Sequence, residues 1–117
     1  MTTITNTFNR YLASVNTSTV TGVLGAAVAA GTDVIVTGLI VCNTHATQAV
    51  KVDIKIDRSG TTFYLIKWNI IPIGESLIAI GWDQKVVLKT GDNIIVTTIN
   101  TGDIADVSLS TMEVVTV

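Results

Sequence analysis

The chain has 117 residues and a formal net charge of −2, with seven Lys/Arg against nine Asp/Glu and one histidine. That length holds one core and excludes two ordinary domains, while the weak, interleaved charge excludes the basic footprint of a direct nucleic-acid binder. Charged residues make up only 14% of the chain, against about 25% in an ordinary soluble domain, and the mean hydropathy is +0.57, so much of the surface is expected to be covered by other protein.

Thr, Ile and Val supply 50 of the 117 residues. These β-branched side chains lose χ1 freedom in helices and pack well on a pleated surface. Strand-like runs recur at 8–15, 18–24, 33–43, 49–57, 61–68, 76–81, 85–89, 93–99 and 104–115, with turn residues between them. The spacing predicts an all-β fold, a single antiparallel β-sandwich of jelly-roll or Ig-like type with about eight strands. Within this one domain, residues 1–32 are expected to form an arm, loops and early strands that dock on partners, and residues 33–117 the sandwich core.

In chain order, MTTITNT (1–7) is small and polar, an arm expected to order only on a partner, and removal of residues 1–15 is expected to spare the fold. The opening MTTITNTFNRYL has neither the basic start nor the apolar run of a secretory signal. The most apolar stretch, Val20 to Cys42, contains Asp33, three threonines and four glycines, which opposes a spanning helix, so no membrane partner is expected. GVLGAAVAAG (22–31) reads as a long loop lying on a neighbour, and its glycines match neither the phosphate loop nor the dinucleotide fingerprint.

DVIVTGLIVCN (33–43) is apolar on both faces, as in a central strand covered on both sides or one whose outer face meets another subunit. Cys42 within it reads as a small buried hydrophobe and is the only cysteine, so it closes no internal disulfide. VKVDIKID (50–57) alternates without a slip: Val50, Val52, Ile54 and Ile56 face a core, and Lys51, Asp53, Lys55 and Asp57 face water. Arg58-Ser59-Gly60-Thr61 turns it into TTFYLIKW, a hairpin. IIPIGES marks a turn or strand edge at Pro72, and VVLKTGDNIIV reads as a second hairpin about its Thr-Gly-Asp turn.

Residues able to do chemistry are sparse. His45 is the only histidine, and with Cys42 it supplies at most two of the four ligands that zinc wants, so neither metal nor cofactor is expected. No Gly-x-Ser-x-Gly elbow accompanies the serines. Asp103 and Asp106, or Asp53 and Asp57, are carboxylate pairs that acid–base work or calcium could use, but the lysines beside Asp53 and Asp57 read as a charge-balanced wet face. Asn16-Thr17-Ser18 fits a glycosylation sequon by chance alone. No enzyme is expected. The aromatics Phe8, Tyr11, Trp68 and Trp82 are the interface candidates, with Trp68 and Trp82 as a sugar-stacking pair the weaker reading.

Three segments taken in order, VIVTGLIVCNTHATQAVKVDIKI, TTFYLIKWNIIPIGESL and KVVLKTGDNIIVTTINTGDIADVSLSTMEV, resemble small virion structural proteins of tailed bacteriophages, of the capsid decoration (cement) or neck/collar type. The resemblance covers about residues 33–115, and residues 1–32 match it poorly. It implies an antiparallel β-sandwich used in many copies: a homo-oligomer touching capsid, portal/neck or tail proteins, located in the virion and assembled in the host cytoplasm. Capsid decoration is the first expectation; a neck/collar protein, a tail-fibre adaptor, or a glycan- or receptor-binding module are the alternatives.

Overall fold

The computed structural model describes residues 3–17, 21–81 and 83–116. These residues carry nine strands and no helix: β1 (Ile4–Asn16), β2 (Thr21–Gly22), β3 (Thr32–Asn43), β4 (Val50–Arg58), β5 (Thr61–Ile71), β6 (Ser76–Ile80), β7 (Val86–Leu88), β8 (Asp92–Thr98) and β9 (Ile104–Thr116). All pairings are antiparallel. One sheet runs β1-β9-β3-β6 with β7 also on β3, and the other runs β2-β8-β4-β5.

β6 lies along Leu39–Cys42 and β7 along Val34–Val36, so the two act as one interrupted edge strand beside β3. Counted as one, they leave two four-stranded sheets between which the chain passes in jelly-roll order. Alternate residues of both sheets enter one buried cluster, with Val36, Leu39 and Val41 of β3 and Leu109 of β9 from the first sheet, and Val52 and Ile54 of β4 and Ile94 and Val96 of β8 from the second. Burying each such side chain is worth about 1.5–3 kcal/mol. The molecule is long, 56 × 28 × 19 Å, because β1 and β9 pair over thirteen positions from Ile4↔Thr116 to Asn16↔Ile104.

The apolar character of β3 on both faces has a geometric cause. Val34 and Val36 point inward, then the register slips between Val36 and Gly38, and Leu39, Val41 and Asn43 point inward instead. The β-bulge at Thr37-Gly38 joins two alternating runs that are out of phase, and the Thr37 hydroxyl donates to the Ser110 carbonyl at 3.1 Å.

The β4–β5 hairpin forms as expected, closed by a two-residue loop with both Ser59 (φ +49°) and Gly60 (φ +93°) left-handed. This is the twist that two-residue hairpins prefer, and glycine adopts it without a Cβ clash. Val50, Val52 and Ile54 are fully buried, Ile56 is half-buried, and Lys51, Lys55 and Asp57 lie on the outer side. Asp53 departs from the expected wet position: it is buried, and its Oδ1 accepts the Trp68 N–H at 2.9 Å.

Three other expectations are corrected. VVLKTGDNIIV holds a tight turn but not a hairpin, because β7 pairs with β3 in one sheet and β8 pairs with β4 and β2 in the other. The expected arm at 1–7 is strand from Ile4 onward, since β9 is long enough to pair it. The 22–31 segment is largely loop, anchored on its own core by buried Val23 and Val28 and by bonds from Val28 N to Asp92 O and from Gly91 N to Val28 O.

The sheet-to-sheet turn is fastened by Asp92, whose Oδ2 accepts the Lys89 N–H at 2.9 Å while its Oδ1 accepts Arg58 Nε at 2.8 Å. The guanidinium bond holds the Asp92 carboxyl below its ordinary value, against burial that pushes it up; the Lys89 N–H adds to the lowering. A depressed carboxyl contributes stability that is present above its unfolded value, about pH 4, and lost as the pH falls through the folded value. Asp92→Asn is therefore expected to lower stability at pH 7, with its gap from wild type narrowing below about pH 4. Urea titrations of both proteins at pH 7 and pH 3 check this, and an equal gap at both would contradict it.

Candidate functional site

The outward residues of the five-stranded sheet form rows across its width. One row is Leu12, Ser108, Ile40 and Ile78, and another is Phe8, Met112, Ile35 and Val87, each set by the pairing of β1, β9, β3 and β6 or β7. Phe8 is 77% exposed, Leu12 66% and Ile40 43%. Between the rows lie Arg10, Ser110 and Gly38, and the flanking row holds Ser14, Asp106 and Cys42. An outer sheet face is ordinarily polar; this one carries aliphatic and aromatic side chains from edge to edge.

Because Ser108 is small, a shallow trough of about 360 Å³ opens over it between Leu12 and Ile40, with Cys42 and Asp106 at one end. Cys42 is thus half-buried on the outer face of β3, not the buried core residue its apolar setting predicts. At that end Ser14 Oγ donates to Asp106 Oδ1 at 2.7 Å.

The three aromatic candidates among the described residues do not come together. Phe8 belongs to this face. Tyr11 is on the inner side of β1, where its hydroxyl donates to Glu113 at 2.9 Å; burial first, then that carboxylate, push the phenol above its ordinary value. Asn9 Nδ2 donates to the same carboxylate. Trp68 lies on the four-stranded sheet, 59% exposed, and Trp82 is outside the described residues. The sequon likewise runs out of the described residues at Ser18.

The possible catalytic groups are dispersed. Asp103 is 0% exposed: its Oδ1 accepts Gln48 Nε2 at 2.7 Å and its Oδ2 accepts the Lys51 and Asn100 N–H groups at 3.1 and 3.0 Å. Asp106 is on the outer face, so the two carboxylates serve different surroundings. His45 Nδ1 accepts from the N–H of Thr47 and Gln48, which places the ring proton on Nε2 and makes the histidine a turn organiser. Among the described residues no three His, Cys, Asp or Glu side chains are grouped to hold a metal.

The outer side of β4–β5 has a different character. β5 carries two more residues than β4 between the pairs Val52↔Asn69 and Lys55↔Tyr64. One bulge puts Trp68 at φ +58°, a conformation costing of order 1–3 kcal/mol for a bulky residue, held by the Asp53 bond to its N–H. Lys51 and Lys67 lie 5.4 Å from the Trp68 ring centre, and Lys67 and Lys55 lie 5.1 and 5.5 Å from that of Tyr64.

The chain matches no protein-family model and no curated protein.

Proposed function

We propose that this protein is a structural component of a tailed-phage virion, a capsid decoration protein whose copies associate with one another and seat on the particle. The observation that carries the assembly part is the apolar outer face of the five-stranded sheet, with Phe8, Leu12, Ile35, Ile40, Ile78 and Val87 on it. The virion part rests on the resemblance of residues 33–115 to such proteins.

The first occupant of that face is a second copy. Four strands spaced by about 4.8 Å and some eleven residues long give a face of about 700 Å², close to the roughly 800 Å² per partner of a stable interface. Its few charges, Arg10, Asp33 and Asp106, are at its middle and margins, and Asp33 is already paired with Lys89 at 3.1 Å. A nearly uncharged surface meets its own copy without like-charge repulsion.

Ile40→Lys places an ammonium in the middle of the face. Light scattering over a concentration series is expected to show an oligomer for the wild type and a monomer for the variant, with the same far-ultraviolet circular dichroism. A wild type that stays monomeric at every concentration would remove the support for self-association. Antibody labelling of virions that carry the protein separates the head from the neck and tail.

A further inference from the structure

Four of the seven cationic residues, Lys51, Lys55, Arg58 and Lys67, lie on the β4–β5 hairpin. Arg58 is turned to Asp92, but the three lysines alternate with two rings in the order Lys51, Trp68, Lys67, Tyr64, Lys55. In a chain of net charge −2 three lysines are gathered here against two carboxylates of the same strand face, Asp57 and the buried Asp53 beneath Trp68. Both rings are well exposed. The ammoniums stand 5.1–5.5 Å from the ring centres, at the outer part of the cation–π range of about 6 Å, so they can turn to an incoming anion.

The arrangement is built. The sheet inserts extra residues in β5, holds Trp68 in a left-handed conformation, and places a buried carboxylate, Asp53, to accept its N–H. Bulges at sheet edges re-aim side chains, and backbone strain of this kind gathers at ligand sites. Core packing does not need it, since the Trp68 side chain is mostly in solvent.

We propose that this ladder binds an acidic polysaccharide, whose carboxylate groups bridge the lysine ammoniums while the apolar faces of its sugar rings lie on Trp68 and Tyr64. A nucleic-acid strand fits less well: it brings a phosphate at every residue, and three lysines beside Asp53 and Asp57 do not match that density, whereas a polysaccharide with one carboxylate for every two sugars does. The site is on the sheet opposite the proposed assembly face, so an oligomer joined through the five-stranded sheet leaves it open. Many copies on one particle would turn a weak site into avid attachment.

The test uses the full chain carrying Trp82→Phe, so that Trp68 is the only indole. Hyaluronan and unsulfated chondroitin, which carry one carboxylate for every two sugars, are titrated against it, with neutral dextran and a single-stranded oligodeoxynucleotide as comparators. The expected result is saturable quenching by one or both acidic polysaccharides, weakened by salt, and about tenfold weaker binding in Lys67→Gln. Lys67 is exposed, so that variant is expected to keep the wild-type melt and oligomeric mass. Equal binding of dextran, tighter binding of the oligonucleotide, no quenching by either polyanion, or indifference to Lys67→Gln would overturn the proposal. Light scattering reads the assembly proposal separately, so either can fail alone.

Discussion

Replacing Asp103 with alanine is expected to lower the unfolding free energy by about 3–4 kcal/mol. Asp103 is wholly buried, and its two oxygens satisfy the N–H groups of Lys51 and Asn100 and the amide of Gln48. Alanine leaves these donors without their acceptor, and an unmet buried donor costs about 1–3 kcal/mol. The damage spreads because Lys51 is the second residue of the central strand β4, Asn100 closes the turn after β8, and Thr98 donates its hydroxyl to the Asp103 carbonyl at 3.2 Å. Asp103→Asn keeps one acceptor oxygen and is expected to cost about half as much. Urea unfolding followed by circular dichroism measures both, and a loss below about 1 kcal/mol in the alanine variant would contradict this account of the loop.

The second large effect is expected from deleting residues 1–15, which should leave no cooperatively folded protein. The deletion removes β1 from Ile4 to Val15, strips twelve pairings from β9 and takes Val15 out of the core. β9 then becomes a long open edge, and such an edge promotes association in place of folding. Soluble yield and a thermal melt test this. A soluble product with a sharp transition would show β1 to be an accessory strand, as the polar residues 1–7 lead one to expect.

The strands were legible where one sheet face is core and the other is wet. Val50, Val52 and Ile54 announce β4 because their lysine and aspartate neighbours leave no other face for them. Ser59-Gly60 announces the hairpin through local backbone preference, which needs no tertiary information. The Thr90-Gly91-Asp92 turn was equally legible, but a turn does not say which sheet receives the next strand, and β8 crosses to the opposite one. The bulges were hidden because each moves side chains between faces by a change of register, which is a property of two strands together.

The candidate surfaces divide in the same way. The double apolar character of β3 pointed either to a strand covered on both sides or to one with an apolar outer face, and Ile35 and Ile40 stand on the outer face. Its extent was not readable, because Phe8, Leu12 and Val87 join it only through long-range pairing. Trp68 was singled out as an aromatic, but its lysine neighbours come from the strand beside it and from the bulge.

The position of β9 governs when the molecule can exist. It is the last of the nine described strands along the chain, yet it lies between the first strand and the third, with Phe8 and Ile35 both paired to Met112. The β4–β5 hairpin closes between neighbours in the chain, while β1 pairs with residues 88 to 112 positions away, from Asn16↔Ile104 to Ile4↔Thr116. Such non-local closure makes folding slow, on the order of milliseconds to seconds. The apolar outer face is therefore built only once β9 is in place, and a product that stops short of β9 lacks that surface.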